Sequence, residues 1–223
     1  SAAVRLRTVS HQDPVDNETA EWDRLHAWLA ATYPATHGAM TRTILPNRTL
    51  VYHWPGSDAS LQPIIVMAHQ DVVPVTAGTE GDWKYPPFAG TIAEKAVWGR
   101  GTVDDKGSLV GLFEATEALA KAGFRPKRGI YLVSGHDEEV GGTGAAAAAA
   151  KLKAEGVKAI FTLDEGSLVL TDTPVIGGPA IMIGIAEKGY ATLKVTANAP
   201  GGHSSMPPAE TGVGTLARAI TAI

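Results

Sequence analysis

The chain has 223 residues, 44% hydrophobic and 19% charged, with 19 Lys and Arg against 23 Asp and Glu for a net charge of -4. This is the composition of an ordinary globular protein, long enough for one full domain and the start of another, and its scattered basic residues argue against nucleic acid as a partner. The lack of Cys excludes thiolate metal sites, disulfides and Cys nucleophiles, and no apolar run approaches the ~20 residues of a membrane span.

The opening SAAVRLRTVS carries no apolar signal-peptide core and no initiating Met, so a segment upstream is expected to have been removed or left out, and the compartment stays open. From Glu18 to Tyr33, Trp22, Leu25, Trp28 and Leu29 recur at helical spacing, and Pro34 is expected to end that helix. Leu50 to Trp54 reads as a short strand closed by the turn Pro55-Gly56-Ser57-Asp58. Ile64 to Ala68 is a continuous apolar run, predicted to be a strand buried on both faces. Gly81 to Gly90 is a loop rich in aromatics and Pro. Gly107 to Ala122 is an amphipathic helix stopped by Gly123 and Pro126. Ile130 to Ser134 and Ala159 to Leu163 read as two further buried strands, with an Ala-rich helix from Gly144 to Glu155 between them. Beyond Asp172 the pattern changes: Ala180 to Ala199 reads as strands broken at Gly189, and Gly212 to Ile223 begins a helix.

Alternating strands and helices predict an α/β fold with a mostly parallel sheet and helices on both faces. The change of pattern after Asp172 is expected to divide the chain into a first domain over residues 1–180 and the start of a second, α+β domain over 181–223.

Ligands of open parallel sheets bind beyond the carboxyl ends of the strands. Here the strand ends carry His69-Gln70-Asp71, His136-Asp137-Glu138-Glu139 and Asp164-Glu165, with Asp104-Asp105-Lys106-Gly107 opening a helix between the first two. His69 and Asp71, two apart in extended chain, point to one side, so Asp71 can hold one imidazole nitrogen while the other binds a metal. Taken alone, that pair is more often an ordinary loop. Asp104 alone would read as a helix N-cap, although one carboxylate can also bridge two cations. Three adjacent acids, Asp137 to Glu139, form either a solvated turn or a site neutralised by a dication. In the second case one glutamate ligates while its neighbour serves as general base. Four such clusters, three at strand ends and one at a helix start, outweigh the bland reading of each. With no Cys and a His/carboxylate donor set, zinc leads, with manganese or cobalt possible.

The segments MAHQDVVP, WGRGTVDDKG, SGHDEEVGG, TLDEGS and GGHSSMPP, in this order from Met67 to Pro208, resemble the signature stretches of the aminoacylase and carboxypeptidase S group of dinuclear zinc peptidases. The opening VRLRTVS also resembles that family's first helix. The resemblance implies two zinc ions per subunit held by His69, Asp104, Glu139 and Asp164, with Asp104 bridging. Glu165 is the alternative at its strand end. Asp71 would orient His69, and Glu138 would be the general base towards a metal-bridging water. His203 would reach a neighbouring subunit's site from a lid that forms a homodimer. The implied substrate is a peptide or N-acyl amino acid with a free carboxylate beside the scissile amide. The family's second His ligand lies after the lid and is expected beyond Ile223. WGRGTVDDKG and EKGYATLKV look closest to the carboxypeptidase S branch.

Three rivals remain. Gly142-Thr143-Gly144-Ala145-Ala146-Ala147 matches a dinucleotide fingerprint, with Asp164 about 20 residues on, but three acids stand where a pyrophosphate would sit. Gly202-His203-Ser204-Ser205-Met206 lacks the closing Gly of a serine-hydrolase elbow. A non-catalytic binding module would be expected to have lost these ligand-type residues.

Overall fold

The computed structural model describes residues 1–166, 169–173, 177–186, 188–189 and 191–223. These form two compact units, Ser1–Gly166 and Ser167–Ile223.

In the first unit a five-stranded sheet has the order β1-β2-β6-β3-β7. Its strands are β1 (Thr41–Ile44), β2 (Leu50–Trp54), β3 (Ile64–Met67), β6 (Ile130–Ser134) and β7 (Thr162–Leu163). β3 runs parallel to β6 and β7, whereas β2 is antiparallel to both β1 and β6. Only β2 therefore runs against the rest, which is the mostly parallel sheet expected. A small hairpin, β4 (Thr91–Ala93) with β5 (Ala96–Trp98), interrupts the order.

The two-residue period of the strands divides the core between the faces. Leu50, Tyr52 and Trp54 of β2 and Leu132 of β6 pack with Leu25, Leu29, Tyr33, Leu109 and Phe113. These come from α1 (Ala20–Thr32), its cap Tyr33, and α3 (Lys106–Lys121). The alternate residues Val51, Tyr131 and Val133 pack on the other face against Ala148 and Leu152 of α4 (Thr143–Ala154). Helices thus cover both faces.

Several expectations are corrected. Pro34 ends α1 but also opens a second helix, α2 (Pro34–Ala39), at whose first position its missing N–H costs nothing. β3 is half-buried along its length rather than fully enclosed. The strand expected over Ala159 to Leu163 shrinks to two residues, both exposed, and Ile160 and Phe161 before it are about half exposed, at 53% and 51%. Among the described residues β7 has a single neighbour, and an apolar run does not say whether anything lies on it. In the second unit, β8 (Val169–Thr173) pairs with β9 (Gly178–Ile181), and α5 (Gly212–Ala222) follows. The described residues from 182 to 199 contain no strand, so β9 alone represents the strands expected there. Of the motif residues, Ser167, Glu187 and Tyr190 lie outside the described set.

The cap of α2 is tertiary. Tyr33 provides no side-chain cap, and Glu117 of α3 accepts from Thr36 N at 2.8 Å and Ala35 N at 3.2 Å while pairing with Lys121 at 3.1 Å. Burial raises the Glu117 pKa, but these bonds outweigh it and bring it from the ordinary 4.5 down to about 2. A depressed pKa stabilises the fold above the unfolded value, and that stability is lost as pH falls from 4.5 through 2. Glu117→Gln should cost about 1–3 kcal/mol at neutral pH. In denaturant melts the gap from wild type should close over that acid window, and a gap independent of pH would disprove the capping role.

Candidate metal centre

The strand ends converge on one imidazole. β3 delivers His69, Gln70 and Asp71 into the interior, at 4%, 0% and 0% exposure. His69 Nδ1 faces Asp71 Oδ1 at 3.2 Å, and its Nε2 faces Asp104 Oδ1 at 2.8 Å. Glu165 Oε2 lies 3.7 Å from the same Nε2, and Glu138 Oε2 lies 4.0 Å from it. His69, Asp104 and Glu165 each offer a donor atom within 4.8 Å of the others, the one such group of three or more His, Asp or Glu among the described residues.

Asp71 connects two strand ends. Its Oδ1 accepts from Glu138 N at 3.1 Å as well as from His69, and its Oδ2 accepts from Glu139 N at 3.1 Å and Ser10 Oγ at 2.7 Å. One buried carboxylate therefore orients the imidazole and sets the backbone of the Glu138-Glu139 turn. Burial pushes the Asp71 carboxyl up, but the bonds from His69 and Ser10 more than compensate and hold it low.

Both imidazole nitrogens face carboxylates, so this arrangement favours positive charge on His69. Burial alone would lower its pKa, yet Asp71, Asp104 and Glu165 raise it to about 10. The acids are raised as well, which for a carboxyl favours the neutral form. Burial, aided by the charges of Asp105, Asp104 and Glu138 against the pull of His69, raises Glu165 to about 7. Glu138 and Glu139 are also raised, first by burial and then by neighbouring carboxylates. A dication at Nε2 in place of the proton would relieve that crowding, and imidazole with carboxylates is a suitable donor set for zinc. The residues fit a metal.

The N-cap reading of Asp104 fails. Asp105 occupies the cap position of α3, and its Oδ2 accepts from His69 N at 3.1 Å, which leaves Asp104 free to face Nε2. The dinucleotide reading fails in the same way. Asp137 Oδ1 accepts from Gly144 N at 2.8 Å and its Oδ2 from Thr143 N at 3.0 Å, so a carboxylate already fills the N-terminus of α4 where a pyrophosphate would bind. Gly144 serves packing instead, since a Cβ there would lie 2.2 Å from Thr49 Oγ1 and 2.6 Å from His136 Nδ1. His136 is tied to Thr49 Oγ1 at 2.8 Å.

Of the residues singled out in the sequence, His69, Asp71, Asp104 and Glu138 are brought together. Glu139 and Asp164 are not in the three-residue group. Asp164 Oδ1 instead accepts from Glu165 N at 2.9 Å. His203 belongs to the second unit, where it is exposed and its Nδ1 lies 2.8 Å from Ser205 Oγ. Sequence reasoning missed Ser10 and Asp105. Nothing local marks Ser10, which lies 61 residues from Asp71. Asp105 stood in a motif already credited to its neighbour.

A family model described as peptidase family M20/M25/M40 matches residues 65–223. The chain belongs to this peptidase family. Curated M20 relatives include a probable carboxypeptidase S-like protein 2 of Dictyostelium discoideum, 40% identical over 98% of this chain and 43% of its own length. An N-fatty-acyl-amino acid synthase/hydrolase of Danio rerio is also 40% identical, over 98% of this chain and 42% of that protein. Carboxypeptidase S of Saccharomyces cerevisiae is 39% identical, over 99% and 40%. The chain thus spans less than half the length of these relatives. Among solved structures, human carnosine dipeptidase 1 aligns with a TM-score of 0.62 at 22% identity, over 77% of this chain and 38% of that one. An M20 family metallo-carboxypeptidase of Sulfolobus solfataricus aligns with a TM-score of 0.62 at 20% identity, over 75% and 36%. At these identities the two structures establish the M20 fold.

Proposed function

We propose that the protein carrying this chain is a metal-dependent hydrolase of amide bonds, acting on a peptide or N-acyl amino acid beside its free carboxylate. The observation that carries this reading is the convergence of Asp104, Glu165 and Glu138 on His69 Nε2, with Asp71 on the opposite nitrogen. Family membership and the relatives' names support the same chemistry. His69, Asp104, Glu139 and a carboxylate of the Asp164-Glu165 pair would hold two zinc ions. Bound zinc would supply Lewis acidity towards the scissile carbonyl and the attacking water.

The chain's own groups account for the proton. Glu138, half exposed and raised in pKa, takes a proton from the attacking water and returns it to the leaving amine. Asp71 keeps His69 aimed and the Glu138 backbone fixed while this happens. Residues 181–223 would begin a lid that forms a homodimer, and His203 would stabilise the oxyanion of the partner's site. Mixing inactive His203→Ala with inactive Glu138→Gln protein should then restore part of the activity through mixed dimers. No recovery despite proven subunit exchange would place His203 in its own chain's site or remove it from the reaction.

The strand-end choice has its own test. In the arrangement described, Glu165 faces the imidazole, so Glu165→Ala should weaken zinc retention about 10-fold or more, and more than Asp164→Ala does. A larger loss in Asp164→Ala would make Asp164 the ligand.

The reading as a whole is tested by zinc analysis and by assay of the full-length protein on dipeptides, N-acetyl amino acids and N-fatty-acyl amino acids. Hydrolysis that chelation abolishes and zinc restores is expected. Absence of bound metal, or a bound nicotinamide or flavin, would overturn it.

A further inference from the structure

We infer that Ser10 is a positioning residue for the metal centre and its base, held in place by an N-terminal strap that Lys106 anchors. This rests on the hydrolase reading proposed above.

The strap crosses the first strand end in a series of bonds. Lys106, 2% exposed, donates from Nζ to Ala3 O at 3.1 Å and also to Leu6 O. Thr8 Oγ1 donates to Gln70 O at 2.6 Å, and Thr8 O accepts from Val72 N at 3.0 Å. Val9 bridges Val72 in parallel, and Ser10 N donates to Val72 O at 3.2 Å. The strap thus alternates with Gln70 and Val72 and arrives opposite Asp71, where Ser10 Oγ donates to Oδ2 at 2.7 Å. Thr8, Ser10, Gln70 and Asp71 are all at 0% exposure, so no solvent can replace a lost donor without entering the core.

The division of labour on Asp71 gives the hydroxyl its effect. Oδ1 serves His69 and Glu138, whereas Oδ2 serves Glu139 and Ser10. Of the two donors to Oδ2, Ser10 is the shorter, at 2.7 Å against 3.1 Å. Without it Oδ2 keeps only the longer bond from Glu139 N, and the carboxylate is less firmly fixed on that side, which loosens its hold on His69 and on the Glu138-Glu139 turn together. Lys106 adds a second coupling, because it follows Asp104-Asp105 directly. The segment that delivers Asp104 to His69 thereby also fixes the strap that steadies Asp71.

The test compares Ser10→Ala with Thr8→Ala in the full-length protein. Thr8→Ala removes only the Oγ1 bond to Gln70 O; the backbone bonds with Val72 that hold the strap in register and the Ser10 Oγ bond to Asp71 remain, so it reports a merely structural loss. Ser10→Ala should lower kcat about 10-fold with KM nearly unchanged, and should release zinc at a lower chelator concentration. Thr8→Ala should lower Tm to a similar degree but keep kcat and zinc retention within about twofold of wild type. Ser10→Cys keeps a donor at this position, weaker and slightly bulkier than the hydroxyl, and should give intermediate kcat and zinc retention. It also decides the question if Ser10→Ala does not fold. Parallel losses in Ser10→Ala and Thr8→Ala, or wild-type kcat and zinc retention in Ser10→Cys, would overturn the inference. A wild-type protein with neither zinc nor hydrolase activity would instead overturn the functional reading beneath it.

Discussion

Glu138→Gln should keep zinc and substrate affinity while losing about 10²–10⁴-fold in kcat, the usual contribution of a general base. The substitution preserves the size of the side chain and the backbone N–H that Asp71 accepts at 3.1 Å, so the turn and the imidazole stay in place. What disappears is an oxygen able to take a proton. Glu138 suits the role because its carboxylate stands at the margin of the cluster, 4.0 Å from His69 Nε2 and half open to solvent. Burial and the charges of Asp71, Asp104 and Asp164 raise its pKa, which brings it nearer that of the amine leaving group it would protonate in the proposed reaction. Steady-state kinetics with zinc content measured on the same samples separates lost base from lost metal. A mutant that keeps more than about a third of wild-type kcat excludes Glu138 as the base and makes Glu139 the next residue to change.

Asp71→Asn should weaken zinc retention about 10–100-fold with the fold intact, as expected when the group orienting a ligand is altered. Both oxygens are in use. An amide keeps one acceptor and turns an NH₂ towards donors that remain, either His69 Nδ1 and Glu138 N or Ser10 Oγ and Glu139 N. One side of the junction must then separate, and at 0% exposure no water is at hand to mend it. His69→Ala removes the ligand itself and should be more severe. Dialysis against graded chelator followed by zinc analysis orders the three proteins. Equal zinc in wild type, Asp71→Asn and His69→Ala would remove His69 from the metal site and Asp71 from its support.

The elements legible in the sequence are those whose signal is local. β2 and β6 match their expected bounds because apolar runs of strand length are punctuated at both ends, and α3 stops where Gly123 adopts a φ of +73°. The recurrence of His and carboxylates after successive strands likewise pointed to one site, since parallel strands bring their carboxyl ends to one edge of a sheet. Composition and order thus determined the fold class and the donor chemistry.

Tertiary structure alone decided what each carboxylate does. Asp137, Glu138 and Glu139 are equivalent in the sequence, yet Asp137 caps α4, Glu138 faces His69, and both glutamates hang by their N–H groups from Asp71. Neighbouring side chains in a turn diverge according to backbone angles that no periodicity encodes. Asp105 and Asp104 part in the same way, one to the His69 backbone and the other to its ring. Ser10 was invisible because its partner is 61 residues away, as was the cap that Glu117 gives α2 from 81 residues away. Local sequence sets which donors and acceptors exist, whereas burial forces each to find a partner, and only the packed chain determines which partner is in reach.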